Sequence, residues 1–255
     1  MKQIIYKLLE GIFKNGIKTK ISGISLKLPF RFYRYYESDY EIENVSFFKK
    51  HVKQKDTVID IGAQIGLMTK LFADLVGKNG KVYSFEPTPK TFSVLKETIK
   101  INDIEKIVFP IQQAVSDKKG TAIFNISDVD IDAANSLSNS ARNHATSGIE
   151  VNITSVDEFV KDMSISKINF LKIDAEGAEY YVLLGAENTI EKHKPILNLA
   201  LHPMALIDFN SSLSLIFDFI KNKKYKIIYR SDEMSESVFI NKRDLFDVQL
   251  IPITN

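Results

Sequence analysis

Through the middle of the chain, short apolar runs alternate with stretches in which apolar residues recur every three or four positions. Thr57–Ile61 is an apolar run ending in a glycine turn. Leu67, Leu71 and Leu75 then share one helical face, and Gly77 closes that helix. Lys81–Phe85 reads as a second strand, and Phe92, Leu95 and Ile99 mark a second helix. Ile107–Val115 reads as a third strand, although Pro110 inside it cannot donate to a ladder. Farther on come an apolar strand at Ile168–Ile173, a helix over Ala178–Lys192 stopped before Pro195, and a strand at Ile196–Leu201. Repeated strand–helix alternation predicts an α/β fold, with a parallel sheet and helices on both faces.

Two segments interrupt or extend this pattern. An insertion at about 118–155 holds β-like pieces, Thr121–Ile126 and Ile149–Thr154, around the polar stretch Ser127–Gly148. Beyond residue 205 come a helix over Leu213–Ile220 and two strands, Tyr225–Tyr229 and Ser237–Asn241. These two read as an antiparallel pair.

Residues 1–50 form a basic, aromatic extension ahead of a domain over 51–255. Ile4, Ile5, Leu8, Leu9, Ile12 and Phe13 recur at helical spacing between lysines. Such a helix, within residues 1–20, can lie on a membrane surface. The plainer reading packs it on the domain or on a second subunit, which leaves an oligomer open. Leu28–Tyr36 is rich in β-formers and aromatics and suits a strand or a lid over a pocket.

Composition narrows the function classes. The 255 residues are 44% hydrophobic and 26% charged, with a net charge of +2, so no nucleic-acid partner is expected. The absence of cysteine excludes disulfides, thiolate metal sites and a thiol nucleophile. No apolar run approaches the roughly 18 residues of a membrane span. The start of the chain lacks a clean apolar leader core, so the expectation is a soluble, cytoplasmic protein.

The sharpest chemical signal is Asp60-Ile61-Gly62-Ala63-Gln64-Ile65-Gly66, between a strand and a helix. The free N–H groups of the helix start favour an anionic group. A dinucleotide pyrophosphate calls for G-x-G-x-x-G, and this loop lacks the middle glycine. Asp60 would repel a pyrophosphate but suits a ligand with a cationic amine or sulfonium beside a carboxylate, such as S-adenosylmethionine. Glu86, in Phe85-Glu86-Pro87 after the second strand, is placed to accept from two ribose hydroxyls.

On these residues the chain resembles the FkbM family of class I S-adenosylmethionine-dependent methyltransferases. The likeness continues through Ala114-Val115-Ser116-Asp117, Asn135-Ser136-Leu137 and Ser155-Val156-Asp157-Glu158. It ends with Leu171-Lys172-Ile173-Asp174-Ala175-Glu176-Gly177-Ala178-Glu179, Gly185-Ala186 and His202-Pro203. It covers about residues 53–205. The resemblance implies a doubly wound, Rossmann-like, seven-stranded sheet whose last hairpin is antiparallel. It also implies O-methylation of a sugar, glycan or other small hydroxylated metabolite, often in glycan or natural-product synthesis. Two departures stand out: Gln64 where the family usually has Asn, and Ala200 where it usually has Glu.

The expected cofactor set is Asp60, Gly62, Ala63, Gln64, Gly66 and Leu67 from the loop, with Glu86 and Pro87 after the second strand. Gln113 and Ala114 would flank the adenine, and Asp117 would accept from its amine or simply close a turn. For catalysis, His202 is the base candidate, with an ordinary pKa near neutrality. Asp174 ends the most apolar strand, Lys172 shares its face, and Glu176 follows. Glu179 serves either the site or the helix dipole. Asp174, Glu176 and His202 together suit a divalent metal such as magnesium, but metal-free base catalysis ranks ahead. Asn135 and Ser136 suit the acceptor pocket. Of the other histidines, His193 complements a helix end and His51 is expected to be exposed, while His144 has no placement. Two competing readings are a nicotinamide-dependent oxidoreductase and a non-catalytic protein that kept the cofactor pocket, the latter motivated by Ala200.

Overall fold

The computed structural model describes residues 9, 11–127 and 146–253. Ile4, Ile5 and Leu8 of the N-terminal stripe, and Asn135, Ser136 and His144 of the insertion, lie outside the described residues.

The central sheet is built from β3 (Thr57–Ile61), β4 (Lys81–Phe85), β5 (Val108–Ile111), β9 (Phe170–Ile173), β10 (Ile196–Leu201), β11 (Tyr225–Tyr229), β12 (Asp232–Glu233) and β13 (Phe246–Pro252). Its order is β12-β11-β13-β10-β9-β3-β4-β5. From β10 to β5 the strands are parallel, while β13 runs antiparallel to both β10 and β11. Seven strands make up the expected doubly wound sheet, and two-residue β12 adds an eighth at the edge.

Both faces of the inner strands are covered, so β9 is buried at every position. On one face Ile59, Ile61, Leu171 and Ile173 join a core with the C-terminal helices. On the other, Val58, Val82 and Phe170 pack with α2 (Leu67–Val76) and with the N-terminal segment. That segment comprises the hairpin β1 (Ile17–Ile21) and β2 (Ile24–Leu28), followed by α1 (Ile42–His51). Phe48 of α1 meets Phe72 of α2 at 5.0 Å and Phe170 at 5.5 Å between ring centres, so residues 17–52 share the core of the sheet. Leu28–Tyr36 contributes a strand end and a 3-10 turn at Phe30–Phe32, after which Tyr36 reaches the cavity described below. In the insertion, β7 (Gly120–Ser127) and β8 (Thr146–Thr154) pair antiparallel and join β6 (Ala114–Val115) in a small separate sheet.

Four expectations change. Ser237–Asn241 is not a strand but falls on a short helix, Glu236–Ile240, and β13 is the true partner of β11. The β-formers Val238 and Ile240 mislead because only Phe239 is buried, against Phe217 and Phe246. The single strand over 107–115 divides. β5 occupies the sheet edge, where Pro110 is tolerated, and β6 joins the other sheet. The helix over 178–192 is two, Glu179–Gly185 and Glu187–His193. At the break, a Cβ on Gly185 would lie 2.1 Å from the Ser116 carbonyl oxygen, so only glycine permits this approach. Finally, His193 is buried and accepts from the Ile168 N–H at 3.1 Å, and His51 is half-buried against Phe47. Burial lowers both pKa values, against the expected cationic and exposed roles.

Candidate active site

Strand register places two polar rows across the sheet. Asp60 stands beside Ser84 on one side and Lys172 on the other, Lys172 beside Asn198, and Asn198 beside Gln249. Two residues farther along, beyond the carboxyl ends of the parallel strands, come Glu86, Gly62 and Asp174. Ala200 there is paired with Asp247 of β13. This second row borders a cavity of about 320 Å³, within the range of small-molecule sites.

The glycine loop forms one wall. Gly62 and Ala63 both donate their N–H groups to the Phe85 carbonyl, at 3.1 and 3.0 Å. Gly62 has φ +77°, and a Cβ there would lie 2.2 Å from the Asp174 carbonyl oxygen, so the turn requires glycine. Gly62, Ala63, Gln64 and Leu67 line the cavity, whereas Gly66 caps α2 behind it. Glu86 and Pro87 line it from β4. The Glu86 carboxylate accepts from the Thr88 N–H at 2.9 Å and from the Thr88 hydroxyl, which fixes its direction. Burial pushes the Glu86 pKa up, and the Thr88 bonds oppose the shift. Gln113 and Ala114 line the far end. Asp117 does not reach the cavity and accepts from the Ser116 hydroxyl at 3.1 Å.

Asp60 is the main correction. Its carboxylate does not line the cavity; it is fully buried beneath the loop. There it accepts from the Thr69 hydroxyl at 2.7 Å and pairs with Lys172 at 3.8 Å. The strand pleat explains this: Asp60 and Lys172 are neighbours on adjacent strands with side chains on the same face. Lys172 also meets Asp174 at 3.3 Å. Burial disfavours the ammonium, but Asp174, Asp60 and Glu41 hold its pKa above the usual lysine value.

His202 follows β10 and lies between carboxylates. Its Nδ1 is 2.8 Å from Glu179 Oε1, and its Nε2 is 3.3 Å from Glu176 Oε2 and 3.9 Å from Asp174 Oδ1. Burial opposes its charge, yet Glu176 and Glu179 raise its pKa to about 11. The resting group is therefore an imidazolium, not the near-neutral base expected from its residue type. Glu179 is fully buried and also accepts from the Gly177 N–H at 2.9 Å, so it fastens His202 from behind. Burial raises the Glu176 pKa against the pull of His202. Glu176 has φ +49°, Gln64 +51° and Glu41 +50°, three cavity-lining non-glycine residues in the left-handed region. The donor atoms of Asp174, Glu176 and His202 lie within 4.8 Å of one another, close enough to share a metal ion. Such an ion would have to displace the imidazolium proton.

Tyr36, the end of the run expected to form a strand or a lid, lines the cavity, and four residues without any sequence signal join it: Tyr40 and Glu41 from the N-terminal segment, Leu245 just before β13, and Asp247 in it. Tyr36 donates to Gln64 Oε1 at 2.8 Å. Asp247 restores a carboxylate directly opposite Ala200, where the family likeness had lost one. Burial, reinforced by Glu41 and Asp174, pushes its pKa up to about 7. The aromatic run had pointed to a lid, but no local pattern marked Glu41 or Asp247, because only β13's insertion beside β10 brings them together.

The site fits S-adenosylmethionine by its donor set. A glycine turn opens onto the cavity, Glu86 offers a buried acceptor at the β4 end, and the carboxyl groups of Glu41, Asp174 and Asp247 line the space a cationic ligand would enter.

Comparison with known proteins agrees. Residues 60–227 match the Methyltransferase FkbM domain. The hexuronic acid methyltransferase AglP of Haloferax volcanii is 24% identical over 189 residues, 72% of this chain and 74% of that protein. The 2-O-methyltransferase NoeI of Sinorhizobium fredii is 24% identical over 203 residues, 71% of this chain and 82% of the relative. The crystal structure of methyltransferase FkbM from Methylobacillus flagellatus superimposes with a TM-score of 0.48 and 14% identity, over 82% of this chain and 51% of that one. The family match spans well over half the sequence, so the chain belongs to the FkbM methyltransferases and is an S-adenosylmethionine-dependent methyltransferase.

Proposed function

We propose that the chain transfers the methyl group to a hydroxyl of a sugar or glycan. One observation carries this reading: Asp174, Glu176 and His202 converge on the cavity wall beside the glycine loop, an acid–base set suited to an oxygen nucleophile. The two relatives, a hexuronic acid methyltransferase and a 2-O-methyltransferase, support it. Asp247 opposite Ala200 removes the motive for a non-catalytic reading.

When bound, S-adenosylmethionine supplies an electrophilic methyl carbon on a positively charged sulfur. The residues of this chain do the rest. Glu86 would accept from the ribose hydroxyls, and the backbone of Gly62 and Ala63 would leave room for close approach. Glu176 would accept the proton of the acceptor hydroxyl. His202, fastened by Glu179, keeps Glu176 in place. Alignment within the cavity supplies much of the acceleration.

Transfer of labelled methyl into a panel of glycans and nucleotide sugars tests the reading. A methyl ether is expected, and Glu176→Gln should lower the rate about 100-fold while S-adenosylhomocysteine still binds. Label on nitrogen, or no label on any sugar, excludes it.

A further inference from the structure

We propose that the acceptor sugar carries no acidic group, and that Glu41 and Asp247 read its hydrogen-bond donors. This rests on the sugar-hydroxyl reading and adds the charge class of the substrate.

The cavity wall carries five carboxylates, Glu41, Glu86, Asp174, Glu176 and Asp247, against two cations, Lys172 and His202. Both cations are already engaged. Lys172 faces Asp174 at 3.3 Å and Asp60 at 3.8 Å, and His202 faces Glu179 at 2.8 Å and Glu176 at 3.3 Å. Asp60 and Glu179, buried just behind the wall, add further negative charge. Among the described residues no arginine lines the cavity. The bound cofactor brings only one net positive charge. An acidic acceptor would therefore enter a partly desolvated space whose described wall offers no cation without a carboxylate partner, and like charges held close together are costly.

Glu41 and Asp247 are held for a different partner. Asn44 donates to Glu41 Oε2 at 3.2 Å, which holds that carboxyl, and it favours the charged form of Asp247. Its own oxygen accepts from Asn198 Nδ2 at 3.2 Å, which fastens it to the sheet. Opposite Asp247, Ala200 contributes only a methyl group, leaving space for a ligand. Two carboxyls in preset positions accept from hydroxyl or ammonium groups. Such partners relieve the crowding of negative charge that an acid would increase.

The test uses the full chain, labelled cofactor and the methyl glycosides of glucose, glucosamine and glucuronic acid at pH 8. The kcat/KM for the glucuronide is expected to fall at least about tenfold below the other two. Glu41→Gln and Asp247→Asn should each narrow that gap about threefold or more, with an unchanged far-ultraviolet circular dichroism spectrum confirming an intact fold. A preferred glucuronide, or an unchanged ratio in both variants, overturns the proposal and leaves the sugar-hydroxyl reading standing. If none of the three accepts methyl, the same comparison is made between neutral and acidic members of the glycan and nucleotide-sugar panel, where no label on any sugar ends both readings together.

Discussion

Tyr36 donates its hydroxyl to Gln64 Oε1 at 2.8 Å, tying the N-terminal segment to the glycine loop. Gln64 occupies a left-handed conformation that its neighbours must hold in place. Tyr36→Phe removes the bond and leaves the amide oxygen unpaired. The expected result is a three- to tenfold weaker affinity for S-adenosylhomocysteine, about 0.5–1.5 kcal/mol, measured by calorimetry. Unchanged affinity would separate Tyr36 from the loop.

His202 is held protonated by Glu176 and Glu179. Its folded pKa, about 11, lies above the unfolded value near 6.5, so the pairing stabilises the fold fully below about pH 6.5 and is lost as pH rises through 11. Nitrogen chemical shifts of the ring should report an imidazolium at pH 9. Glu179→Gln should bring that titration down toward neutrality and reduce kcat more than cofactor affinity. A ring already neutral at pH 8 in the unmodified protein contradicts this account.

Asp247 behaves in the opposite sense. Burial raises its folded pKa to about 7, above the unfolded value near 3.9, so ionisation costs stability as pH climbs between the two. Asp247→Asn should therefore melt close to the parent at pH 4 and above it at pH 8. The gain corresponds to about 2–4 °C per kcal/mol in a chain of this size. Thermal scans at the two pH values decide the matter.

Lys172 neutralises Asp60, which has no exposure and whose Oδ1 has no hydrogen-bond partner. Lys172→Met leaves that charge buried and should cost about 3–5 kcal/mol of stability by denaturant unfolding. Adding Asp60→Asn to the same chain should recover a large part of the loss. Equal damage in the single and double variants would show that the pairing is not the source.

If His202 keeps its proton, Asp174, Glu176 and His202 work without a metal ion. Methyl transfer after exhaustive chelation should stay within about twofold of the untreated enzyme, and added magnesium should not stimulate it. Loss of activity on chelation with recovery on magnesium would assign the three residues to a metal instead.

The strand–helix order of residues 57–101, the glycine turn and the buried strand at 170–173 were legible because they depend on near neighbours. Apolar spacing, a chain reversal and a helix start are written within a few residues. The same local rules misread residues 237–241, where β-forming types sit on a short helix that buries only Phe239. They were silent on β13, whose place beside β10 rests on pairing with a strand some 45 residues earlier.

Sequence alone determined which residue types stand at the carboxyl rim: Glu86, Asp174, Glu176 and His202 all border the cavity. Only the folded chain decided their electrical states and their company. Asp60 turned inward because Lys172 is its neighbour across the ladder, His202 became a cation because Glu179 lies behind it, and Glu41 and Asp247 joined the wall from opposite ends of the chain. Charge and burial act through space over a few ångströms, and those distances are set by strand pairing and packing, not by separation along the sequence.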